Sequence, residues 1–224
     1  MSNRIHPTAV VAASVRLGSG NTIGPFAVIT GDVWLDDDNW IGAGVVIGAT
    51  PEIRSLPHTE DGMGSGRGVR IGSGNVLREY AQVHAGSEQP TTIGDGGFIM
   101  NQVYVAHDCH LGDGVTLASS VLLAGHVQVG ANANLGLGTA VHQRTVIGEG
   151  AMVGMSAAVT RDVPAFAKAY GNPARVRGAN VVGSTRLGAS REAAEALDRA
   201  YSGGDLAAAD ELVRRIRDEI AASS

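Results

Sequence analysis

Four of the seven histidines in this 224-residue chain stand at related spacings. They lie in Val83-His84-Ala85-Gly86, Val105-Ala106-His107-Asp108, Leu123-Ala124-Gly125-His126 and Val141-His142-Gln143-Arg144. The last three segments start 18 residues apart, and the first joins them once four extra residues are removed. If 18 residues make one structural turn, these side chains share one face of successive turns. An imidazole titrates near neutral pH and can serve as a general base, and an adjacent carboxylate, here Asp108, can orient it. The same spacing also suits a plainer arrangement, a histidine ladder bonded to backbone on a solvated face, and His84 and His142 suit that structural reading best.

The elements that would position such a face are visible as a period of six. Ile5, Val11, Leu17, Ile23, Ile29, Leu35, Ile41, Ile47 and Ile53 follow it without a break, and Ile71, Leu77 and Val83 resume it. After a shift of four, it runs from Ile93 through Ile99, Val105, Leu111, Leu117, Leu123, Val129, Leu135, Val141, Ile147 and Val153 to Val159. Glycine often follows the aliphatic residue, as at Gly24, Gly42, Gly112, Gly130 and Gly148, and glycine relieves crowding at tight corners. A helix needs a period near 3.6 and an ordinary strand simple alternation. A period of six fits a short strand plus a corner, stacked as a parallel β-helix. Each aliphatic column would then fill the interior.

Composition narrows the class further. The chain has 32 glycines and only 7 prolines, which excludes collagen, and 4% aromatic residues, so its core is aliphatic. The formal net charge of -5 gives no footprint for nucleic acid. A single cysteine, Cys109, excludes an internal disulfide framework and reads as a small buried thiol. No run is long enough for a membrane span and the N-terminus has no signal-peptide core, so a cytoplasmic protein is expected. The reading is a β-helix over 1–164, with loops ejected at 54–70 and 86–92. A linker and a small helical extension follow over 165–224, with Ser190 and Asp205 as helix N-caps.

Ala106-His107-Asp108-Cys109, Leu123-Ala124-Gly125-His126-Val127 and Val141-His142-Gln143 resemble the UDP-N-acetylglucosamine acyltransferase family of lipid A synthesis. The similarity extends through Ile5-His6-Pro7-Thr8-Ala9-Val10, Leu77-Arg78-Glu79, Asp162-Val163-Pro164, Gly171-Asn172 and Ala200-Tyr201, roughly residues 4 to 201. It implies an all-β left-handed parallel β-helix of about eight coils with a small C-terminal α-helical extension. It implies a homotrimer with sites between subunits. It also implies transfer of an acyl group from acyl carrier protein, or possibly acyl-CoA, to a nucleotide-sugar hydroxyl.

Carried over residue by residue, the resemblance makes His107 the general base, Asp108 its partner and the Gly125 N–H the oxyanion donor. His126, His142, Gln143, Asn180 and Arg186 match substrate-binding positions. Leu137 and Met155 stand where the family commonly has glycines lining an acyl groove, and would shorten it. No metal and no cofactor are implied. The chain departs from the family at Pro51-Glu52-Ile53-Arg54, where a Gln-Asp-x-Lys element is usual. It also departs at Tyr104, Pro173 and Val182. These departures leave open acylation of a different sugar or amino sugar, at N or O, outside lipid A synthesis. A non-catalytic hexapeptide scaffold is the further alternative.

Overall fold

The computed structural model describes residues 2–56 and 66–223. Two- to four-residue strands repeat around three faces, and each strand pairs in parallel with the one a turn away. The first face starts at Arg4–Ile5, the second at Val10–Val11 and the third at Arg16–Leu17. In each strand of the middle coils the aliphatic residue of the hexad points inward and is buried, as at Ile99, Val105, Leu111, Leu117 and Leu123. This is a parallel β-solenoid of about nine turns.

The rungs depart from the hexad count in two places, losing one and gaining two. Ile53, though on the period, is in no strand; its place on the third face is taken by Ile71, which pairs with Leu35. At the far end Val163 bridges to Ile147, and Ala169 pairs with Val153 within the strand Ala167–Tyr170. The solenoid's hydrogen bonding therefore runs on into the stretch read as linker. Strands also begin at Val69 and Thr91, inside the two stretches read as loops, and residues 57–65 of the first loop lie outside the described residues.

Buried polar side chains are satisfied along the stack. Asn21, Asn39 and Asn75 are buried, and each Oδ1 accepts a backbone N–H from the next turn, at 2.9, 2.8 and 2.7 Å. An unpaired amide at such a depth would cost about 1–3 kcal/mol.

Beyond the solenoid, Arg175–Ala179 turns back antiparallel to Ala167–Tyr170, a pairing that the sequence pattern does not announce. A short helix α1 (Val181–Arg186) follows, also not foreseen, and then α2 (Arg191–Gly203) and α3 (Leu206–Ser223). Ser190 accepts the Ala193 N–H and Asp205 the Ala208 N–H, as their N-cap roles require. Helix α2 ends at Gly204 in the left-handed conformation, φ 76°. Its buried side includes Ala193, Ala194, Leu197 and Tyr201, and the Tyr201 hydroxyl donates to the Ala165 carbonyl. The ion pair Arg217–Glu149 ties α3 to the third corner of the solenoid. Among the described residues, no helix is long and apolar enough to cross a membrane.

Candidate active site at the second corner

The corner between the second and third faces carries His107-Asp108, Gly125-His126 and Gln143-Arg144 on three successive turns. Both interruptions of the period also leave the solenoid at this corner, on the two turns above. The second residue of each corner pair has left-handed backbone: Asp108 φ 60°, His126 φ 61° and Arg144 φ 62°. Backbone bonds between turns hold the stack, with His126 N donating to His107 O and Arg144 N to Gly125 O, both at 3.0 Å.

Asp108 is the centre of the arrangement. Its side chain is fully buried. Oδ1 accepts three consecutive backbone N–H groups, from Ser87, Glu88 and Gln89, at 3.0, 2.8 and 2.9 Å. Oδ2 accepts the Ser87 hydroxyl at 2.6 Å and His107 Nδ1–H at 2.7 Å. Burial alone would push this carboxyl up. The Gln89 N–H, the Ser87 hydroxyl, His107 and the Glu88 N–H outweigh it and hold Asp108 well below the usual carboxylate range. An ionised Asp108 fixes the His107 proton on Nδ1 and leaves Nε2 free to accept a proton.

His107 and His126 meet edge to face, with ring centroids 5.2 Å apart and side chains 17% and 15% exposed. Arg144 reaches to 3.5 Å from His126 Nε2. Gly125 lies directly under the His107 ring: a Cβ built on it would stand 2.7 Å from Nε2. Among the described residues the Gly125 N–H has no hydrogen-bond acceptor, so it is free for a bound group.

His107, Asp108 and His126 place ligand atoms within 4.8 Å of one another, close enough to consider a cation. The donor set does not fit one. Both Asp108 oxygens are occupied by five hydrogen bonds, and the Arg144 guanidinium faces His126 Nε2. Neighbouring Cys109 is buried, and burial pushes its thiol up to about 12, far from a reactive thiolate.

The other sequence candidates are dispersed over the chain. Gln143 occupies the place on its turn that Gly125 and His107 occupy on theirs, and His142 is exposed beside it, with Nδ1 3.2 Å from the Gln143 carbonyl. Asn180 and Arg186 lie elsewhere, lining a cleft of about 480 Å³ with Asn132, Asn134, Met152 and Lys168. Lys168 is the chain's lone lysine. Asn180 caps α1 through the Gly183 N–H and donates to the Gly150 carbonyl. Leu137 and Met155 stack on the first corner, 49% and 70% exposed. One chain thus brings His107, Asp108, Gly125, His126, His142 and Gln143 to the second corner, and leaves Asn180, Arg186, Leu137 and Met155 elsewhere.

Sequence reasoning missed Ser87, Glu88 and Gln89. The four-residue insertion one turn above His107 marked the place, but not that its backbone N–H groups turn inward. Sequence reasoning also missed the pairing of the Tyr104 hydroxyl with Glu52 and the contact of the Tyr104 ring with buried His84, at 5.2 Å between centroids.

Residues 90–125 match the family model for the bacterial transferase hexapeptide, six repeats. Residues 162–204 match the model for domain 2 of Udp N-acetylglucosamine O-acyltransferase. Over 134 residues the chain is 42% identical to the acyl-[acyl-carrier-protein]--UDP-N-acetylglucosamine O-acyltransferase of Paraburkholderia xenovorans, covering 58% of this chain and 51% of that one. The enzyme of the same name from Thermodesulfovibrio yellowstonii is 46% identical over 141 residues, covering 62% and 55%. The chain spans about half the length of the curated relatives it matches.

Solved structures match over more of the length. The UDP-N-acetylglucosamine acyltransferase from Campylobacter jejuni superposes with a TM-score of 0.80 at 29% identity, covering 97% of this chain and 94% of that one. The UDP-N-acetylglucosamine O-acyltransferase from Moraxella catarrhalis gives 0.70 at 30% identity, covering 96% and 92%. These relatives are left-handed β-helices, and the solenoid here is one as well. The solenoid and the 90–125 match define a protein of the hexapeptide-repeat class. The chain belongs to the UDP-N-acetylglucosamine O-acyltransferase family.

Proposed function

We propose that the protein moves an acyl group from an acyl thioester to a hydroxyl of a nucleotide sugar such as UDP-N-acetylglucosamine. The donor is acyl carrier protein, with acyl-CoA as the other thioester of this chemistry. His107 Nε2 removes the hydroxyl proton as the oxygen attacks the thioester carbonyl. The tetrahedral oxyanion takes the free Gly125 N–H, which must lie within about 3 Å of it. The C–S bond then breaks, and the thiol leaves with the proton held by the imidazolium. No enzyme nucleophile and no cofactor enter this scheme.

The observation that carries this reading is the convergence of a carboxylate-oriented imidazole and an unpaired backbone N–H at one corner. A non-catalytic scaffold would have no use for a fully buried carboxylate with five donors. The separation of Asn180 and Arg186 from the second corner supports a homotrimer, in which the Asn180–Arg186 cleft of one subunit closes over the second corner of its neighbour. His126, His142 and Gln143 then hold the acceptor from the side of the base. Substrates of this kind, and the lipid A pathway to which they belong, support a cytoplasmic location.

The test is thiol release from a panel of acyl donors, with and without UDP-sugars, for wild type and His107→Ala. General-base loss should lower turnover by about 10²–10⁴-fold with the fold retained. Near-normal turnover in folded His107→Ala would overturn the scheme.

A further inference from the structure

The loop Gly86–Pro90 does more than leave the solenoid. Its three consecutive N–H groups saturate Asp108 Oδ1, and its one hydroxyl reaches Oδ2, the atom that also holds His107. The two bonds to Oδ2 are of similar length, 2.6 Å from Ser87 Oγ and 2.7 Å from His107 Nδ1. Hydroxyl and imidazole therefore draw on the same oxygen's charge. An oxygen that already accepts a hydroxyl is a weaker acceptor for an imidazolium than one that accepts nothing else. We propose that Ser87 is a positioning residue for His107. Through Asp108 Oδ2, its hydroxyl takes up part of the charge the imidazole draws on, and so limits how strongly the carboxylate holds a protonated ring.

The surroundings leave Ser87 this role. Around His107 the charged and titratable groups are Asp108 on its own corner, His126 on the next turn and Arg144 beyond it. From the loop comes Glu88, whose side chain is exposed and whose backbone N–H is the part that touches Asp108. Cys109 is a buried thiol, and Glu52 is paired with the Tyr104 hydroxyl on the second face. Among the groups that contact Asp108 Oδ2, Ser87 Oγ is the one a single-atom change can remove while the three N–H bonds to Oδ1 stay in place.

The inference rests on the general-base reading, and the experiment separates the two. The imidazole ¹⁵N signals of His107 are followed against pH in wild type, Ser87→Ala and Ser87→Thr, alongside the pH profile of turnover. In Ser87→Ala the pH midpoint of the His107 signals should rise by about half a unit or more, and Ser87→Thr, which keeps the hydroxyl, should restore it. A midpoint unmoved in Ser87→Ala, with the Ser87–Gln89 amide signals in their wild-type positions, overturns the proposal. An equal rise in Ser87→Thr also overturns it, because the hydroxyl would then not be the cause. If the midpoint rises and the acid limb of turnover rises with it, both readings are supported. If the midpoint rises while the acid limb stays, the role of Ser87 stands and the general-base reading fails.

Discussion

Gly125 and His107 sit one turn apart with no space between them for a methyl group. A Cβ on Gly125 would approach His107 Cε1 to 2.6 Å and Nε2 to 2.7 Å. Gly125 has no left-handed φ, so alanine is acceptable to the backbone and the obstruction falls on the imidazole. The ring cannot swing aside without leaving Asp108 Oδ2. Gly125→Ala should therefore fold with a thermal midpoint close to wild type and lose about 10²-fold in turnover, the scale of a misplacement near 1 Å. Wild-type turnover in this variant would show that the ring has room that the geometry denies it.

Asp108→Asn tests the orienting carboxylate. An amide nitrogen at the place of Oδ2 would donate to His107 Nδ1, move the ring proton to Nε2 and block the base. Turnover should fall by about 10²–10⁴-fold.

The same variant carries a stability signature. The Asp108 carboxyl is held low in the fold, whereas in the unfolded chain it titrates near 4. Below that pH the unfolded state binds the proton more readily. The stabilisation present at neutral pH is therefore lost as pH falls through about 4 toward the folded value. Denaturant titrations should show wild type more stable than Asp108→Asn by about 1–3 kcal/mol at pH 7. The gap should narrow as the pH drops below 4. A gap that does not change with pH would assign the loss to packing instead of charge.

Subunit sharing has its own test. If His107 of one subunit works with Asn180 and Arg186 of another, then two variants inactive alone, His107→Ala and Arg186→Ala, should recover activity when unfolded and refolded together. Random mixing restores about a quarter of the sites in a ring. Recovery at that level supports the shared site. No recovery, with mixed oligomers shown by mass spectrometry, would place all the site residues within one subunit. A stable, active monomer near 22.9 kDa in light scattering would count against a trimer altogether.

Much of this fold is written in six-residue steps. Leu111, Leu117 and Leu123 must be aliphatic because each fills the interior at one strand, so the period survives in the sequence. Ile53 shows the limit: it keeps the period but the chain has already left the coil, and periodicity alone does not tell a rung from a neighbouring loop. His107 and Gly125 were legible together because 18 residues make one turn. The Ser87–Gln89 cradle was not, because backbone N–H groups are the same in every residue and their aim depends on loop geometry. The hairpin of Ala167–Tyr170 with Arg175–Ala179 was hidden for a related reason, since its alternation is too short to stand out.

Acyl length is the last property the stack bears on. Leu137 and Met155 occupy the same position on successive turns of the first corner, and the Ser156 N–H donates to the Leu137 carbonyl at 2.8 Å. They are exposed, at 49% and 70%, so they are not packed into the solenoid. Turns stack at about 4.8 Å, so the two side chains form a continuous apolar ridge along the outside. A methylene gains about 0.8 kcal/mol only where it is buried. A chain laid along this corner is stopped where the ridge begins, and carbons beyond that point gain nothing and meet a steric cost. Wild type should therefore prefer acyl groups of about ten carbons or fewer, since each methylene is worth only a modest factor in discrimination. Met155→Gly should open the path and move the preference upward, and adding Leu137→Gly should move it further. A donor series read as kcat/KM for each length decides the point: a wild-type preference for fourteen-carbon donors, or no change in Met155→Gly, would show that the acyl chain takes another route.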